Sequence, residues 1–278
     1  MTARMDVNIY IPEGKPLSDA VQVIWQVARE NSYRQEVIVP KGVVEIIFNF
    51  DPETEFHASL YGSGFVIPKC FIQGYHTGPI TLDLPENQSL FGAVLHTAAT
   101  KHIFKVPAGE LSRKCIDLTL VEPSMNSLWH QLAESKTFQH RTELLTDWLM
   151  HRIPHLDARE RAMNDLFTLK AERPLTVPEL ADWLCYSPRH LSRKFHELSG
   201  MNTGQTIQYL KYLKAKALIY RTSLSLSEIA HICEFSDQSH FIKTFKSFAG
   251  MPPKQYRNRK SDIEGHYFEN VRQVQFYE

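Results

Sequence analysis

Six polar side chains, in two short stretches, have the types and the spacing that hydrogen bonding to the edges of DNA bases requires. They are Arg189, Ser192 and Arg193 in the first stretch, and Gln238, Ser239 and Lys243 in the second. Arginine can donate two hydrogen bonds to guanine O6 and N7, glutamine can pair with adenine N6 and N7, and lysine can bond to guanine or to a phosphate. Arg189 lies three and four residues before Ser192 and Arg193, and Ser239 lies four residues before Lys243, so that these side chains would share a face of an α-helix.

The elements that would position these side chains belong to a sequence repeat with two copies. The stretch from Thr176 to Met201 superimposes on the stretch from Ser225 to Met251, first at an offset of 49 residues and then at an offset of 50. An internal repeat of this kind predicts two similar supersecondary units. The one-residue insertion falls between Ser236 and Phe241, and we expect it to turn the outward face of the second unit's helix away from that of the first.

Capping residues predict where the helices of each copy begin. Thr176 with Glu179, and Ser225 with Glu228, have the spacing of a capping box. In the first copy, Ser187 is the expected cap of a second helix, with proline at the first helical position, where its missing N–H costs nothing. In the second copy the corresponding cap is expected at Ser236.

Each second helix has an apolar stripe opposite its polar residues. The stripes consist of Leu191, Phe195 and Leu198 in the first copy and of Phe241, Phe245 and Phe248 in the second. This pattern indicates two helix-turn-helix units, whose second helices would enter the major groove. A long helix at 204–221 would join them, and its Lys211, Lys214 and Lys216 are either phosphate contacts or part of a solvated face.

Composition favours a soluble protein of two domains. The 278 residues are 43% hydrophobic and 22% charged, without an apolar run of the roughly 20 residues that a membrane span needs. The first residues lack the apolar core of a secretory signal, and four widely separated cysteines suggest reduced thiols. A cytoplasmic location is therefore expected.

Charge is distributed unevenly along the chain. The formal net charge is zero, yet residues 171–260 hold 14 Lys and Arg against 7 Asp and Glu. The C-terminal part is thus basic and the remainder acidic. A basic module joined to an acidic one suggests that only the C-terminal part meets a polyanion.

Residues 174–257 resemble the DNA-binding domain of AraC/XylS-type transcription regulators. The residues that carry the resemblance lie in the second copy, at Leu226, Glu228, Ile229, Ala230, Phe235, Ser236, Asp237, Gln238, Ser239, His240, Phe241, Phe245, Lys246, Gly250, Pro253, Tyr256 and Arg257. The resemblance implies recognition helices at 188–198 and 237–248, with base contacts from the six polar residues named above. It also implies a double-stranded DNA operator, contact with RNA polymerase as in an activator, and no enzymatic activity.

Three features depart from this family pattern. Lys211 and Tyr212 stand where the family commonly has the first two residues of an Arg-Leu-x-x-Ala run within the connecting helix, and Thr203-Gly204 replaces a Ser-Pro-like pair. Residues 259–278 form a tail beyond the usual end of the family. This tail is too apolar for pure disorder, and we expect it to dock on the protein.

The sequence of the N-terminal half predicts short strands. Residues 20–28 alternate, with Val21, Val23, Trp25 and Val27 on one side, which is a strand period although a short helix is an alternative. Further runs rich in β-branched and aromatic residues are broken by Gly- and Pro-containing turns, and the last of these runs is 103–106. Many short strands at this spacing predict an antiparallel barrel or sandwich.

From these patterns we predict an α+β chain with four regions. They are a cupin-like β-rich sensor domain at 1–120, a helical dimerisation or linker region at 121–172, the DNA-binding domain at 173–258, and the tail at 259–278. Apolar stripes on helices at 124–135 and 138–152 suit either a homodimer contact or burial on the barrel.

The β-rich domain could bind a small-molecule effector among apolar walls. Candidate lining residues are Phe48, Phe50, Phe71, Tyr75, His76 and His96, although residues of these types more often simply pack in a core. The histidines lack the spacing of a metal site, so no cofactor is expected. Two alternatives stay open: a constitutive DNA binder whose barrel only dimerises, and a metal cupin enzyme with a DNA-binding tail.

Overall fold

The computed structural model describes residues 5–51, 55–112, 115–153, 155–170, 176–259 and 261–271. Eleven strands within these ranges form the β-rich part. They are β1 (Met5–Tyr10), β2 (Val21–Glu30), β3 (Tyr33–Ile38), β4 (Val44–Asn49), β5 (His57–Leu60), β6 (Ser63–Val66), β7 (Cys70–Gln73), β8 (Ile80–Asp83), β9 (Asn87–Leu95), β10 (Cys115–Asp117) and β11 (His266–Val271).

The strands pair into two sheets, and every pairing is antiparallel. One sheet has the order β1-β2-β9-β4-β7-β10 and the other has the order β11-β3-β8-β5-β6. Side chains alternate between the two faces of a strand, so each sheet offers one face to the other. The predicted antiparallel β-rich half is therefore confirmed.

Helices form the rest of the regular secondary structure in the described chain. Those before the repeat are α1 (Leu17–Ala20), α2 (Thr97–Phe104), α3 (Leu118–Val121), α4 (Ser124–Glu134), α5 (Phe138–Met150) and α6 (Ala158–Phe167), together with a 3₁₀ helix at Ala108–Leu111. Those of the repeat are α7 (Val177–Trp183), α8 (Pro188–Ser199), α9 (Thr203–Arg221), α10 (Leu226–Ile232), α11 (Gln238–Ala249) and α12 (Pro253–Arg259).

Two expectations about the strands were wrong. The run at 103–106 is not a strand, because Ile103 and Phe104 end α2, where both side chains are buried. Residues 63–66 were not expected to form a strand, but they form β6, which pairs with β5 across the turn at Gly62. Gly62 has φ +80°, a conformation that favours glycine and suits such a turn.

Helices α4 and α5 bury their apolar stripes inside the chain. Leu128, Trp129 and Leu132 of α4 are nearly inaccessible, as are Leu145 and Leu149 of α5. The Trp129 indole N–H donates to the carbonyl of Asn49, so α4 lies against the end of β4. These stripes therefore belong to the core, and homodimerisation stays a prediction.

The C-terminal tail docks on the N-terminal half, as expected. Strand β11 pairs with β3 and extends the five-stranded sheet at one edge. The backbone N–H of Val39 also donates to the carbonyl of Gly265. After the last helix of the repeat, the chain thus returns to the N-terminal half and adds a strand to the sheet that contains β3. Residues 272–278 lie outside the described chain, as does the predicted boundary between residues 172 and 173.

One buried cluster runs through both halves of the chain. It includes strand residues such as Ile46 and Phe91 and repeat residues such as Phe195, Leu210 and Phe245. The described helices include none that is both long and apolar enough to cross a lipid bilayer.

Candidate nucleic-acid interface and effector cavity

The first helix-turn-helix unit consists of α7 and α8. The Ser187 hydroxyl accepts the backbone N–H of His190 and caps α8, with Pro188 at the first helical position, as expected. The capping box predicted for α7 is not formed, because the Thr176 hydroxyl donates to the Glu179 carboxylate instead of accepting a backbone N–H. The turn between the helices contains Cys185 at φ +52°.

The second unit consists of α10 and α11, and its insertion lies in the turn. The capping box of Ser225 and Glu228 is formed. The cap of α11 is Asp237 and not Ser236, since the Asp237 carboxylate accepts the N–H of His240. The caps Ser187 and Asp237 are 50 residues apart, so α8 and α11 align throughout at that offset. The expectation of turned outward faces was therefore wrong: the extra residue lengthens the turn after Glu234.

Polar residues at the start of both recognition helices face outward. Arg189 and Arg193 on α8 are exposed, and Ser192 is partly exposed. Gln238, Ser239 and Lys243 on α11 are all exposed. With the helices aligned by their caps, Arg193 and Lys243 occupy equivalent positions. The arrangement can present a basic side chain at the same position of each helix to a DNA groove, with Arg189 as a second one on α8, while base contacts remain predictions.

The apolar stripes of both helices are buried, except for Phe248, which is partly exposed. Leu191, Phe195, Phe241 and Phe245 have no measurable exposure. Burial of each such side chain contributes about 1.5–3 kcal/mol. This packing turns the opposite, polar faces outward.

The connecting helix α9 is buried around most of its circumference, and its three lysines all donate to carbonyl groups of the protein. Lys216 is 4% exposed, and its Nζ donates to the carbonyl of Pro40 at 3.2 Å. Lys211 donates to the carbonyl of Glu234, and Lys214 donates to that of Ile232. These two lysines satisfy carbonyls at the C-terminal end of α10, where a positive charge also suits the helix dipole.

Helix α9 is anchored on the N-terminal half by two tyrosines. Tyr209 donates to the carbonyl of His76 at 3.1 Å, and Tyr212 donates to that of Pro40 at 3.2 Å. Both tyrosines are fully buried, and burial raises the pKa of each phenol well above its usual value. Tyr212 is one of the residues that depart from the family pattern, and in the structure it makes this anchoring contact.

The end of α8 lies against the 3₁₀ helix at Ala108–Leu111. A Cβ on Gly109 would lie 2.3 Å from the carbonyl oxygen of His196, and a Cβ on Gly74 would lie 2.1 Å from that of Leu111. Lys101 of α2 adds an ion pair with Glu197 at 2.8 Å. The first recognition helix is therefore in backbone-to-backbone contact with the N-terminal half.

A cavity of about 660 Å³ lies between the two sheets. Volumes of roughly 300–1,000 Å³ are typical of small-molecule sites. The six-stranded sheet lines it with Val23, Trp25 and Val27 among others, which are the side chains whose alternation predicted a strand. The other sheet contributes residues such as Ile38 and Phe65, and the segment from Asp262 to His266 closes part of the wall.

Charged side chains of the cavity wall form internal pairs. Glu36 bonds to Arg29 and also to His266 Nδ1 at 2.6 Å. Burial alone would raise the pKa of the Glu36 carboxyl, but these partners outweigh it and lower the pKa to about 2. Lys41 pairs with Glu45 at 2.5 Å.

The predicted lining residues separate into two groups. Phe71 and His76 line the cavity, and burial lowers the pKa of His76 to about 4. Phe48, Phe50, Tyr75 and His96 are not among its lining residues. Phe48 neighbours Ile47, which does line the cavity, so it points to the other face of β4 and packs on Phe91.

Sequence reasoning missed most of the wall, including Trp25, Arg29, Glu36 and His266. The alternation at 20–28 was the available signal for Trp25. His266 had none, because it lies 230 residues from its partner Glu36.

The histidines and cysteines considered for chemistry lie apart. His57 pairs with Glu55 and His102 with Glu160. Within the described chain, no three His, Cys, Asp or Glu side chains are grouped to hold a metal ion. Burial raises the pKa of the Cys70 thiol, and raises that of Cys115 to about 12, which disfavours the reactive thiolate.

Two family models match separate parts of the chain. One is described as a helix-turn-helix domain and matches residues 180–259. The other is described as a domain of unknown function (DUF6597) and matches residues 10–117.

Similar proteins include transcriptional regulators. The HTH-type transcriptional regulator ArgR of Pseudomonas aeruginosa is 32% identical over 95 residues, which is 34% of this chain and 29% of that protein. The uncharacterized HTH-type transcriptional regulator YpdC of Escherichia coli is 25% identical over 179 residues, covering 64% of this chain and 56% of that protein. The match thus spans less than two thirds of either relative.

A solved structure of Vibrio cholerae ToxT with bound unsaturated fatty acid is similar over 95% of this chain and 98% of its own, at 12% identity and a TM-score of 0.48. The doubled units, the caps and the family match coincide at the C-terminal end of the chain. Residues 180–259 are therefore a helix-turn-helix domain of the AraC type, and the relatives of this chain are HTH-type transcriptional regulators.

Proposed function

We propose that the protein is a sequence-specific DNA-binding transcription regulator whose DNA binding is controlled by a small molecule in the cavity between the sheets. The observation that carries the DNA-binding part is the pair of recognition helices with buried apolar stripes and exposed polar faces. Arg189, Arg193 and Lys243 supply positive charge on these faces. Affinity should fall as salt rises, because cationic side chains displace counterions condensed on DNA.

Control by a small molecule is supported by what surrounds the cavity. His76 lines the cavity, and its carbonyl accepts the Tyr209 hydroxyl of α9. Gln73 also lines it, and the next residue, Gly74, is in close contact with the 3₁₀ helix that touches α8. A ligand that shifts this wall would therefore also shift the contacts of α9 and α8 with the N-terminal half. Ligand control requires different affinities for the two arrangements of these helices.

The DNA-binding part is tested by selecting binding sites from random double-stranded DNA and then comparing single-base variants of the selected site. Arg193→Ala should cost about 1–3 kcal/mol in binding and relax the preference at one base pair. Lys136→Ala removes an exposed positive charge from the N-terminal half and serves as the matched control. If Arg193→Ala weakened binding equally for every sequence, Arg193 would contact phosphate and the base-contact assignment would be wrong.

The control part is tested on the same DNA. A ligand that occupies the cavity should change the affinity for the selected site, measured by fluorescence anisotropy. An unchanged affinity with the cavity fully occupied would favour a constitutive DNA binder. Contact with RNA polymerase and homodimerisation stay predictions from the sequence.

A further inference from the structure

We propose that the cavity selects an uncharged, largely apolar molecule and discriminates against anions of the same size. This inference rests on the proposed role of the cavity as an effector site, and it names the chemical class of the effector. Two features of the wall lead to it: an apolar body contributed by both sheets, and a set of charged side chains that neutralise one another.

The body of the cavity is apolar on both sides. Trp25 and Ile47 lie on the six-stranded sheet, and Ile38, Phe65 and Leu82 lie on the five-stranded sheet. Trp25, Ile38, Ile47 and Phe65 are only partly buried, although they lie between two sheets, because the cavity leaves them uncovered. An apolar guest would cover this surface, which is the favourable step of apolar binding.

The cationic side chains of the wall already have anionic partners. Arg29 bonds to the carboxylate of Glu36, and its Nε donates to Gln88 Oε1 at 2.7 Å. Lys41 pairs with Glu45, and both residues lie on the wall. An entering carboxylate would have to break one of these pairs or remain buried without a counterion, and both cost free energy.

The remaining titratable groups of the wall add no cation for an anion to use. Glu264 is acidic and pairs with Arg221 of α9, and Asp262 is acidic and exposed. His266 is bonded to Glu36, and the Nδ1 of His76 is bonded to the carbonyl of Gly78 at 2.7 Å. The wall therefore offers an anion acidic or already paired groups, whereas an uncharged molecule requires no counterion.

The test uses competition with the uncharged fluorescent probe N-phenylnaphthylamine on the full-length protein. Decanol, methyl decanoate and decanoate have the same chain length and are compared as competitors at about pH 8, where the decanoate carboxyl is ionised. We expect the two uncharged compounds to displace the probe at concentrations at least about tenfold lower than decanoate. For decanol and its shorter homologues, each methylene should strengthen binding about fourfold.

A variant separates charge selection from the general tendency of uncharged compounds to leave water. Glu45→Gln removes the partner of Lys41 and keeps the side-chain shape. In this variant decanoate should compete about tenfold better than in the wild type, while decanol should be unchanged. Both proteins are compared at the same salt concentration, since screening weakens charge effects.

Two further variants test whether the probe binds in the cavity. Ala58→Phe fills the space from β5, and Leu82→Trp fills it from β8, since both residues line the cavity. Ser59→Phe is the matched control, because Ser59 is the next residue of β5 and points to the opposite face. Either filling variant that retains the wild-type circular dichroism spectrum should lose probe binding, and the control should keep it.

The outcomes distinguish the two levels of the proposal. Displacement by decanoate at a concentration equal to or lower than that of decanol, lost in the filling variants, would overturn the uncharged class and leave the effector site standing. Probe binding that no filling variant affects, or no probe binding at all, would overturn the effector site itself. Tighter binding of decanol with a gain for decanoate only in Glu45→Gln would support the inference.

Discussion

At the scale of single residues, neighbours in sequence have opposite environments in this chain. Ile47 faces the cavity, whereas Phe48 packs against Phe91 on the other face of the same strand. On α9, Lys216 is buried, whereas Lys214 is only partly covered. The sequence alone left two roles open for both lysines, a phosphate contact or a place on a solvated face. Burial excludes both roles for Lys216, whereas Lys214 donates to the carbonyl of Ile232 and stays partly exposed.

The buried lysine leads to a prediction about pH. Burial lowers the pKa of Lys216 from 10.5 to about 8. Between these values the unfolded chain binds more protons than the folded chain, so the free energy of unfolding should rise from about pH 8 to about pH 10.5. Below pH 8 the protonated amine should cost the fold roughly 3 kcal/mol.

Lys216→Met should therefore stabilise the protein at neutral pH by up to roughly 3 kcal/mol and remove this pH dependence. The carbonyl of Pro40 keeps a donor, because Tyr212 also bonds to it. The measurement is urea unfolding across the pH range, with Lys214→Met as the control. A destabilisation of equal size at every pH would show that the hydrogen bond of Lys216 outweighs its desolvation.

At the scale of elements, the two helix-turn-helix units differ in their turns and agree in their recognition helices. The left-handed residues Cys185 and Glu234 are 49 residues apart, whereas the caps Ser187 and Asp237 are 50 apart. The extra residue thus lies between the left-handed residue and the cap. Both recognition helices end at a left-handed glycine, Gly200 and Gly250, again 50 residues apart.

Asp237→Ala and Ser236→Ala test this assignment of the cap. Asp237 accepts the backbone N–H of His240, so its loss should lower the midpoint of urea unfolding. Ser236→Ala removes side-chain hydrogen bonds but no cap, and its effect should be clearly smaller. The reverse order of the two effects would restore Ser236 as the cap.

At the scale of the whole molecule, the N-terminal half contacts the repeat at several separate places. The 3₁₀ helix touches the end of α8, the loop at Pro40 and His76 accept hydrogen bonds from α9, and Pro79 packs on Gly250 at the end of α11. The tail adds the ion pair of Glu264 with Arg221. Both recognition helices are thus contacted at their C-terminal ends, while the residues predicted to meet DNA lie nearer their N-terminal ends.

Gly109→Ala tests the contact at α8. The added Cβ would collide with backbone atoms at the end of α8. Backbone atoms, unlike a side chain, cannot change rotamer to relieve the collision. We expect a destabilisation of about 1–3 kcal/mol and faster hydrogen exchange at the end of α8. Gly14→Ala is the control, because a Cβ there meets nothing within 4 Å. Unchanged exchange in α8 would mean that this contact does not hold the helix.

The sequence by itself determined the local elements of this protein. Alternation predicted β2, three- and four-residue steps predicted α8 and α11, and the capping box at Ser225 was formed as predicted, because these features depend on neighbours along the chain. The repeat was visible for the same reason.

The tertiary structure decided which face of each strand encloses the cavity, because both faces of β4 carry large apolar residues. It also decided that the three lysines of α9 donate to carbonyl groups and that the tail pairs with β3. Those outcomes depend on how segments far apart in sequence pack together. The local sequence of each segment is compatible with more than one such packing. His266 and Glu36 meet across 230 residues, and no local pattern in the chain specifies that contact.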